Sequence, residues 1–276
     1  MRSYRKAYHT NCWGPSGGSA EGVTSISKLT YRTFGDIDRA IHEIAALGYE
    51  GVEMFDGNLL DYEDAPVALR KVLADAGIQL VAAYSGANFI FPDILNEELA
   101  RLRRVADAAA ASGALHLVVG GGAKRGSGLQ DGDHERLAAG LEKVVALARQ
   151  RGLKAHYHPH LSTIVENPEQ VRKIFSLTGI DFCPDTAHLA AAGGNLPEMI
   201  REHKARISYV HLKGWQKQPF AFTPLDQGDL DIAAIVKTLA EIDYKGWITA
   251  ELDSWPDPKD GAARSLAFLR HAEALV

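Results

Sequence analysis

The sequence contains little cysteine, no excess of basic residues and no long apolar run. Its two cysteines, Cys12 and Cys183, form no CxxC pair, so we expect free thiols in a reducing compartment, with one long-range disulfide as the alternative. With 30 Lys and Arg against 35 Asp and Glu, the chain lacks the basic face that nucleic-acid binding needs. No apolar stretch reaches the roughly 18–20 residues that span a bilayer, and no secretory signal is visible. We therefore expect a cytoplasmic protein with no nucleic-acid or membrane partner.

Short apolar runs alternate with amphipathic segments along the chain, which is typical of βα units around a parallel sheet. The candidate strands are Ala7–Thr10, Gly51–Phe55, Gln79–Ser85, Ala114–Gly120, Leu153–His158, Ile180–Asp185, Ile207–Leu212 and Trp247–Leu252. The candidate helices lie near Phe34–Leu47, Ala65–Ala76, Glu97–Ser112, Asp133–Arg151, Pro168–Leu177, Pro197–Lys204, Leu230–Ile242 and Gly261–Leu275. Eight of each predict an α/β fold, a single (β/α)8 TIM barrel formed by one domain over residues 1–276.

In barrel enzymes the functional groups lie at the carboxyl ends of the strands, here called the rim. The last three predicted strands end at or next to Asp185, His211 and Glu251, which are side chains that bind divalent cations. The fifth strand ends in His158, and a proline and then His160 follow. Because the proline stops the strand, His158 is the predicted fourth ligand, with His160 as an alternative ligand or a substrate contact. The sequence therefore predicts a metal site at the rim.

Other residues are predicted to surround this site. His188 lies three residues after Asp185 and is expected to bind substrate or transfer a proton, the alternative being a helix cap. Glu53 ends the second strand and is expected to serve as a second acid–base carboxylate or, alternatively, as a salt-bridged rim residue. Trp13 and Phe55 lie near the rim, where aromatic faces pack against sugar C–H groups or bury loops.

A glycine-rich segment, residues 120–125, follows the fourth predicted strand and ends in Lys124 and Arg125. Backbone N–H groups and two cations of this kind can cradle a phosphate. A turn is the favoured interpretation, because phosphate sites in barrels usually follow the seventh and eighth strands. The substrate is therefore expected to be unphosphorylated.

Four motifs resemble the xylose isomerase-like superfamily of TIM-barrel sugar isomerases and epimerases, which also includes AP endonuclease family 2. These motifs are Gly48–Glu53, Asp185–Leu189, Arg206–Lys213 and Gly246–Glu251. The resemblance implies one divalent cation, Mn²⁺ first and Co²⁺, Mg²⁺ or Zn²⁺ as alternatives, held by groups that include Asp185, His211 and Glu251. It also implies substrate contacts from His188 and from a basic residue, for which Lys213 and Lys217 are the candidates. A homo-oligomer is a further expectation.

The sequence departs from the family pattern at the fifth strand, where Tyr157–His160 replaces the common Glu. This variant, with Thr163–Glu166 behind it, is similar to the inosose dehydratase branch. In epimerases of the superfamily, two metal-bound carboxylates exchange protons with the sugar on its opposite faces. His158 in place of one of them leaves single-base isomerisation or β-elimination open.

These observations predict a metal-dependent isomerase or epimerase that acts on a sugar or keto-polyol. It would remove a proton next to a metal-chelated carbonyl through an enediolate. Glu251 is the predicted base, and Glu53 or a rim histidine would return the proton. An inosose dehydratase-like lyase is the first alternative, and a non-catalytic sugar-binding protein is the second. A DNA-repair endonuclease is disfavoured because the extra histidines of a trinuclear zinc cluster are missing.

Overall fold

The computed structural model describes residues 3–17 and 28–276, and within them eight parallel strands form a barrel. In chain order the strands are β1 Arg5–His9, β2 Gly51–Phe55, β3 Gln79–Gly86, β4 His116–Gly120, β5 Lys154–His158, β6 Asp181–Phe182, β7 Tyr209–Leu212 and β8 Trp247–Ala250. Their hydrogen-bonded order is β6-β5-β4-β3-β2-β1-β8-β7. The predicted (β/α)8 barrel is confirmed.

The barrel closes between β6 and β7 through a minimal contact. One parallel bridge joins Asp185 to His211, and the backbone N–H of His211 donates to the carbonyl of Pro184 at 3.0 Å. Two of the predicted metal ligands therefore lie on either side of the seam at which the sheet closes on itself.

Helices surround the barrel, and the described residues contain ten of them. They are α1 Ile37–Leu47, α2 Asp56–Leu60, α3 Pro66–Ala76, α4 Leu95–Ala111, α5 Asp133–Arg149, α6 Pro168–Leu177, α7 Thr186–Ala191, α8 Leu196–Glu202, α9 Ile232–Glu241 and α10 Pro258–Glu273. Eight of them match the predicted helices, α6 with the predicted bounds and the other seven with shifted ends. The short helices α2 and α7 were not predicted, and both begin at the rim, directly after β2 and just beyond β6.

Four strands end at residues other than those predicted, and two of these differences bear on the rim. The first strand ends at His9, and Cys12 lies in a buried 3-10 turn, Thr10–Trp13, so the rim includes His9 and the turn. The sixth strand is only Asp181–Phe182, because Pro184 has no N–H with which to continue the ladder. Both cysteines are free and buried.

The side chains inside the barrel change from apolar to polar toward the rim. Apolar side chains such as Ala7, Val81, Val118 and Trp247 fill part of it. Toward the rim the buried side chains become polar, and Glu53 is fully buried there. Buried polar groups need partners, so this layer indicates a specific function for the rim. No helix among the residues described is long and apolar enough to cross a membrane.

Candidate metal centre

The four side chains predicted as metal ligands converge at the rim. One donor atom from each of His158, Asp185, His211 and Glu251 lies within 4.8 Å of the others, and all four residues are buried. His158 ends β5, Asp185 precedes α7, His211 lies in β7 and Glu251 follows β8. Two imidazole nitrogens and two carboxylate oxygens form a donor set that can hold a divalent cation.

Each of these residues also has a polar atom that no other group satisfies. His158 Nε2, Asp185 Oδ2, His211 Nδ1 and Glu251 Oε2 are buried and have no hydrogen-bond partner among the described residues. His211 Nδ1 lies 2.7 Å from Glu251 Oε2, and His158 Nε2 lies 3.5 Å from Asp185 Oδ2. An ion bound at about 2.0–2.2 Å from each ligand needs ligand atoms roughly 3–4 Å apart, so the pair at 3.5 Å meets this spacing and the pair at 2.7 Å must separate slightly. Because unpartnered buried polar atoms cost free energy, these residues fit a divalent ion.

The two side-chain oxygens of Asp185 have different partners, because Asp185 lies at the start of α7. Asp185 caps α7, and its Oδ1 accepts a hydrogen bond from the backbone N–H of His188 at 2.9 Å. Side-chain capping of this kind satisfies an N–H group that the first turn of a helix leaves free. Oδ2 is then left for the ligand group, and the ring of His188 is carried to the rim by the same turn.

Lys213 is a fully buried cation beside the ligand group. Its Nζ lies 2.9 Å from Glu251 Oε1, 3.2 Å from Asp253 Oδ1, 3.3 Å from His188 Nε2 and 3.5 Å from Asp185 Oδ2. Burial lowers the pKa of Lys213, but the three carboxylates outweigh it and the net shift is upward. The ammonium group therefore stays charged and holds Glu251 Oε1, which leaves Oε2 to the ligand group.

Glu53 lies against the inner side of His211. Its Oε2 accepts hydrogen bonds from the Tyr209 hydroxyl at 2.5 Å and from His211 Nε2 at 2.8 Å. Thr249 Oγ1 donates in turn to the Tyr209 hydroxyl at 2.5 Å. Burial raises the pKa of Glu53, but His211 and the Tyr209 hydrogen bond outweigh it and lower the pKa overall. Glu53 is therefore an ionised carboxylate that binds the Nε2 side of His211, whereas Nδ1 on the other side of the ring faces the ligand group.

The rings of His160 and His188 pack against each other at the rim, tilted by 40°, with centroids 3.6 Å apart. His160 Nδ1 lies 2.8 Å from the carbonyl of Leu161, so Nδ1 carries the hydrogen and Nε2 the lone pair. Burial is the largest cause that lowers the pKa of His160, to about 4, and burial also lowers the pKa of His188. Both rings are therefore neutral near neutral pH. The edge of Phe222 packs on His188, with centroids 5.1 Å apart.

Aromatic rings extend from the ligand group along the rim. Phe55 contacts His9, Tyr31 and Tyr84, with ring centroids 4.6, 5.6 and 5.8 Å away. Tyr84 packs edge-on against His158 at 5.4 Å. The predicted aromatic residue Phe55 thus belongs to a wall that reaches one of the candidate ligands.

The contacts of two other predicted substrate residues are with the surrounding loops and helices. Trp13 donates from Nε1 to Glu43 at 2.8 Å and packs edge-on against Tyr8. Lys217 is exposed, and its backbone N–H donates to Asp229 Oδ2 at 2.8 Å. The Trp13 side chain is thus held by Glu43 and Tyr8, the Lys217 side chain is exposed, and both residues stay predicted substrate contacts.

The two cations of the glycine-rich segment are paired within the protein. Lys124 lies 2.9 Å from Glu166. Arg125 pairs with Asp133 and donates to the carbonyl of Ile90 at 2.6 Å. The pairing agrees with the expectation of a turn at this position.

Sequence reasoning missed two residues of the site. The side-chain amide of Asn11 donates to Glu251 Oε1 at 3.3 Å and to Asp253 Oδ1 at 3.2 Å. Asn11 was not predicted as a site residue. The predicted first strand ended at Thr10 instead of His9, and Cys12 was taken as its residue at the rim. Asp253 lies two residues after Glu251, and residues two apart on an extended chain point to the same side. This spacing could have predicted a second carboxylate beside Glu251.

Fold and site together define a (β/α)8 barrel with a candidate metal centre at its rim. The chain belongs to the xylose isomerase-like TIM barrel family, whose model matches residues 41–272. The resemblance drawn from the four motifs is confirmed.

Known relatives and structures agree with this assignment. An inosose dehydratase from Geobacillus kaustophilus is 29% identical over 252 residues, which cover 79% of this chain and 80% of that protein. A solved L-ribulose 3-epimerase shares the fold with a TM-score of 0.78 and 19% identity, covering 99% of this chain and 97% of that one. A zinc-bound IolI protein has a TM-score of 0.75 and 15% identity, with 98% of each chain covered. The protein is an enzyme, as the sequence predicted.

Proposed function

We propose that the protein is a metal-dependent lyase that removes water from an inosose or a closely similar keto-polyol. The observation that carries the proposal is the donor set, in which His158 stands beside the two carboxylates Asp185 and Glu251. Because His158 occupies one ligand position and Asp185 Oδ1 caps α7, the set lacks the second free metal-bound carboxylate that an epimerase uses. The likeness to inosose dehydratases supports the substrate class.

The mixed histidine and carboxylate ligands suit Mn²⁺, with Co²⁺, Mg²⁺ and Zn²⁺ as alternatives. Such an ion, when bound, polarises a substrate carbonyl and makes the neighbouring C–H group more acidic. The protein residues must then accept the proton and release the hydroxyl group. In a dehydration the C–H and C–O bonds break, the electron pair of the C–H bond forms a C=C bond, and the proton and the departing hydroxide leave as water.

Proton removal needs an acceptor that the substrate can reach. Glu251 Oε1 already accepts from Lys213 and Asn11, so a substrate must displace one of these donors before Glu251 acts as the base. His160 is partly exposed, and its Nε2 lone pair is available because Nδ1 donates to the Leu161 carbonyl. We therefore assign proton removal to His160 first and to Glu251 second.

A sugar isomerase or epimerase is the second candidate function. It is supported by the full-length likeness of the fold to an L-ribulose 3-epimerase, and it shares the proton removal step. Return of the proton to carbon would then replace loss of the hydroxyl group. The mass of the product separates the two reactions.

A turnover assay in D₂O tests both candidates. Metal-stripped protein is reloaded with Mn²⁺ and incubated with an inosose, a ketose and an aldose. A product lighter by one water supports the lyase, whereas an isomer that is heavier by one mass unit, because deuterium has replaced one carbon-bound hydrogen, supports the second candidate. Neither product nor deuterium uptake with any of the three compounds would reject the proposal.

A pair of histidine variants tests the base. His160→Asn is expected to lower turnover by about 10²–10⁴-fold, the range that a lost acid–base group produces. His42→Asn is the matched control, because His42 is exposed on α1, and its turnover should equal that of the wild type. Wild-type turnover in His160→Asn would transfer the role to Glu251.

A further inference from the structure

We propose that Glu53 sets the affinity of the metal centre by fixing the ring of His211, and that Glu53 takes no part in proton transfer. The inference rests on the proposed function only in its metal dependence, and it needs no assumption about the substrate. It gives Glu53 a positioning role in place of the acid–base role that the sequence suggested.

The first step is the hydrogen bond between the two residues. Glu53 reaches across the barrel from β2, and its Oε2 lies 2.8 Å from His211 Nε2 in β7. A carboxylate oxygen can only accept, so in the neutral imidazole Nε2 carries the hydrogen. The lone pair then lies on Nδ1, which is 2.7 Å from Glu251 Oε2 and faces the ligand group.

This assignment matters because an ion binds only a nitrogen that carries a lone pair. With the opposite tautomer, or with the ring turned over, an N–H group would point at the ion. Carboxylates that accept the second N–H of a ligand histidine fix both the tautomer and the ring orientation. Glu53 thus selects the form of His211 that can bind.

A second hydrogen-bonded layer holds Glu53 in place. Tyr209 and Thr249 lie two residues before His211 and Glu251 on paired strands, so they share the inward face of these ligands. Thr249 donates to the Tyr209 hydroxyl, which donates to Glu53 Oε2. Thr249 and Tyr209 therefore hold the Glu53 carboxylate in the position from which it orients His211.

The surroundings of Glu53 argue against a proton-transfer role. Glu53, Tyr209 and His211 are all fully buried. Oε2 already accepts two hydrogen bonds, and the buried Oε1 has no hydrogen-bond partner among the described residues and lies 3.9 Å from His9 Nε2. A carboxylate enclosed in this way contacts the ligand His211 from the side that faces the barrel interior.

Metal titration of three variants tests the inference. Glu53→Gln keeps the shape of the side chain, Tyr209→Phe removes only the hydroxyl that holds Glu53, and Glu50→Gln removes an exposed charge near the start of β2 as a control. Metal-stripped full-length protein is titrated with Mn²⁺ and, separately, Zn²⁺ by calorimetry. Kd should rise about 10–100-fold for Glu53→Gln, rise less for Tyr209→Phe and stay unchanged for Glu50→Gln.

Two further readouts separate positioning from catalysis or folding. At saturating metal the turnover of Glu53→Gln should return to within several-fold of the wild type, with the melting temperature of the metal-free protein unchanged. In the Zn²⁺-loaded protein the ¹⁵N spectrum of His211 should show hydrogen on Nε2 in the wild type.

An unchanged Kd in Glu53→Gln, or a turnover loss that saturating metal does not restore, would overturn the inference. Because the titration contains no substrate, its result stands even if inososes are not turned over. The failure of the proposed reaction is therefore distinguishable from the failure of this inference.

Discussion

At the scale of single residues, the site is a cluster of unbalanced charge that is buried except for Asp253, whose side chain is 42% exposed. Among the described side chains, Glu53, Asp185, Glu251 and Asp253 surround the ammonium group of Lys213 and the ring of His211. Burying charges that are not offset is costly. A divalent cation supplies the missing positive charge, which gives the cluster its physical reason for binding one.

Replacing Lys213 tests how far this cluster stabilises the fold. Lys213→Met should lower the free energy of unfolding by about 3–5 kcal/mol, because it leaves buried carboxylates without their partner. Urea denaturation of the metal-free protein measures the change. Lys217→Met is the control, since Lys217 is exposed, and its effect should stay within about 0.5 kcal/mol. Equal changes in the free energy of unfolding for both variants would show that Lys213 stabilises the fold no more than an exposed lysine does.

The pH dependence of metal binding follows from His211. Burial lowers the pKa of His211, but Glu53 and Glu251 outweigh it and raise the pKa to about 10. In the metal-free protein the protonated ring stabilises the fold fully below its ordinary pKa of 6.5, and that contribution is lost as pH rises through about 10. An ion must displace this proton, so below pH 10 the metal affinity should rise about tenfold per pH unit.

Calorimetric titration near neutral pH, in buffers with different ionisation enthalpies, counts the released protons. About one proton should appear for each ion bound. Binding without proton release would show that His211 is already neutral in the metal-free protein.

The sequence identified some of these residues and not others for physical reasons. Asp185, His211 and Glu251 stand at or next to the ends of apolar runs, where the strand pattern itself predicts convergence. Asn11 and Asp253 interact across 242 positions of the chain, a relation that no local pattern contains. Glu53 was found at the rim, but its partnership with His211 depends on the packing across the barrel.

At the scale of elements, the seam between β6 and β7 is the feature that the fold and the site share. The seam is one bridge between Asp185 and His211, beside a strand of only two residues. The predicted sixth strand, Ile180–Asp185, was longer, because it included Pro184, which has no N–H group for the ladder, and the residues on either side of it. The short helix α7 was not foreseen, since six residues are too few for a periodic pattern.

Removing the metal should loosen this seam. An ion that binds Asp185 and His211 links β6 to β7, so chelation should speed amide hydrogen exchange at the His211 N–H, which donates across the seam. The amides of β3 and β4, on the far side of the sheet order, serve as the internal control. Hydrogen exchange followed by mass spectrometry measures both regions. Equal exchange at the seam with and without chelator would contradict the link.

At the scale of the whole molecule, the sequence predicts the barrel fold well. It predicts the reaction less well. Eight alternating strand and helix patterns define the barrel, because the periodicity of each element is local. The reaction depends on which groups a substrate meets at the rim, and that depends on loops such as the hairpin formed by Gly214–Gln216 and Ala221–Thr223. The homo-oligomer stays a prediction, which light scattering after size-exclusion chromatography tests.

The central claim is that His158, Asp185, His211 and Glu251 hold one divalent ion, and counting bound metal tests it most directly. Metal-stripped wild type, the double variant His158→Ala/Asp185→Asn and the exposed control His42→Ala are dialysed against Mn²⁺ and analysed by inductively coupled plasma mass spectrometry. One ion per chain should remain in the wild type and in the control, and none in the double variant. Retention of one ion by the double variant, or its absence from the wild type, would contradict the account.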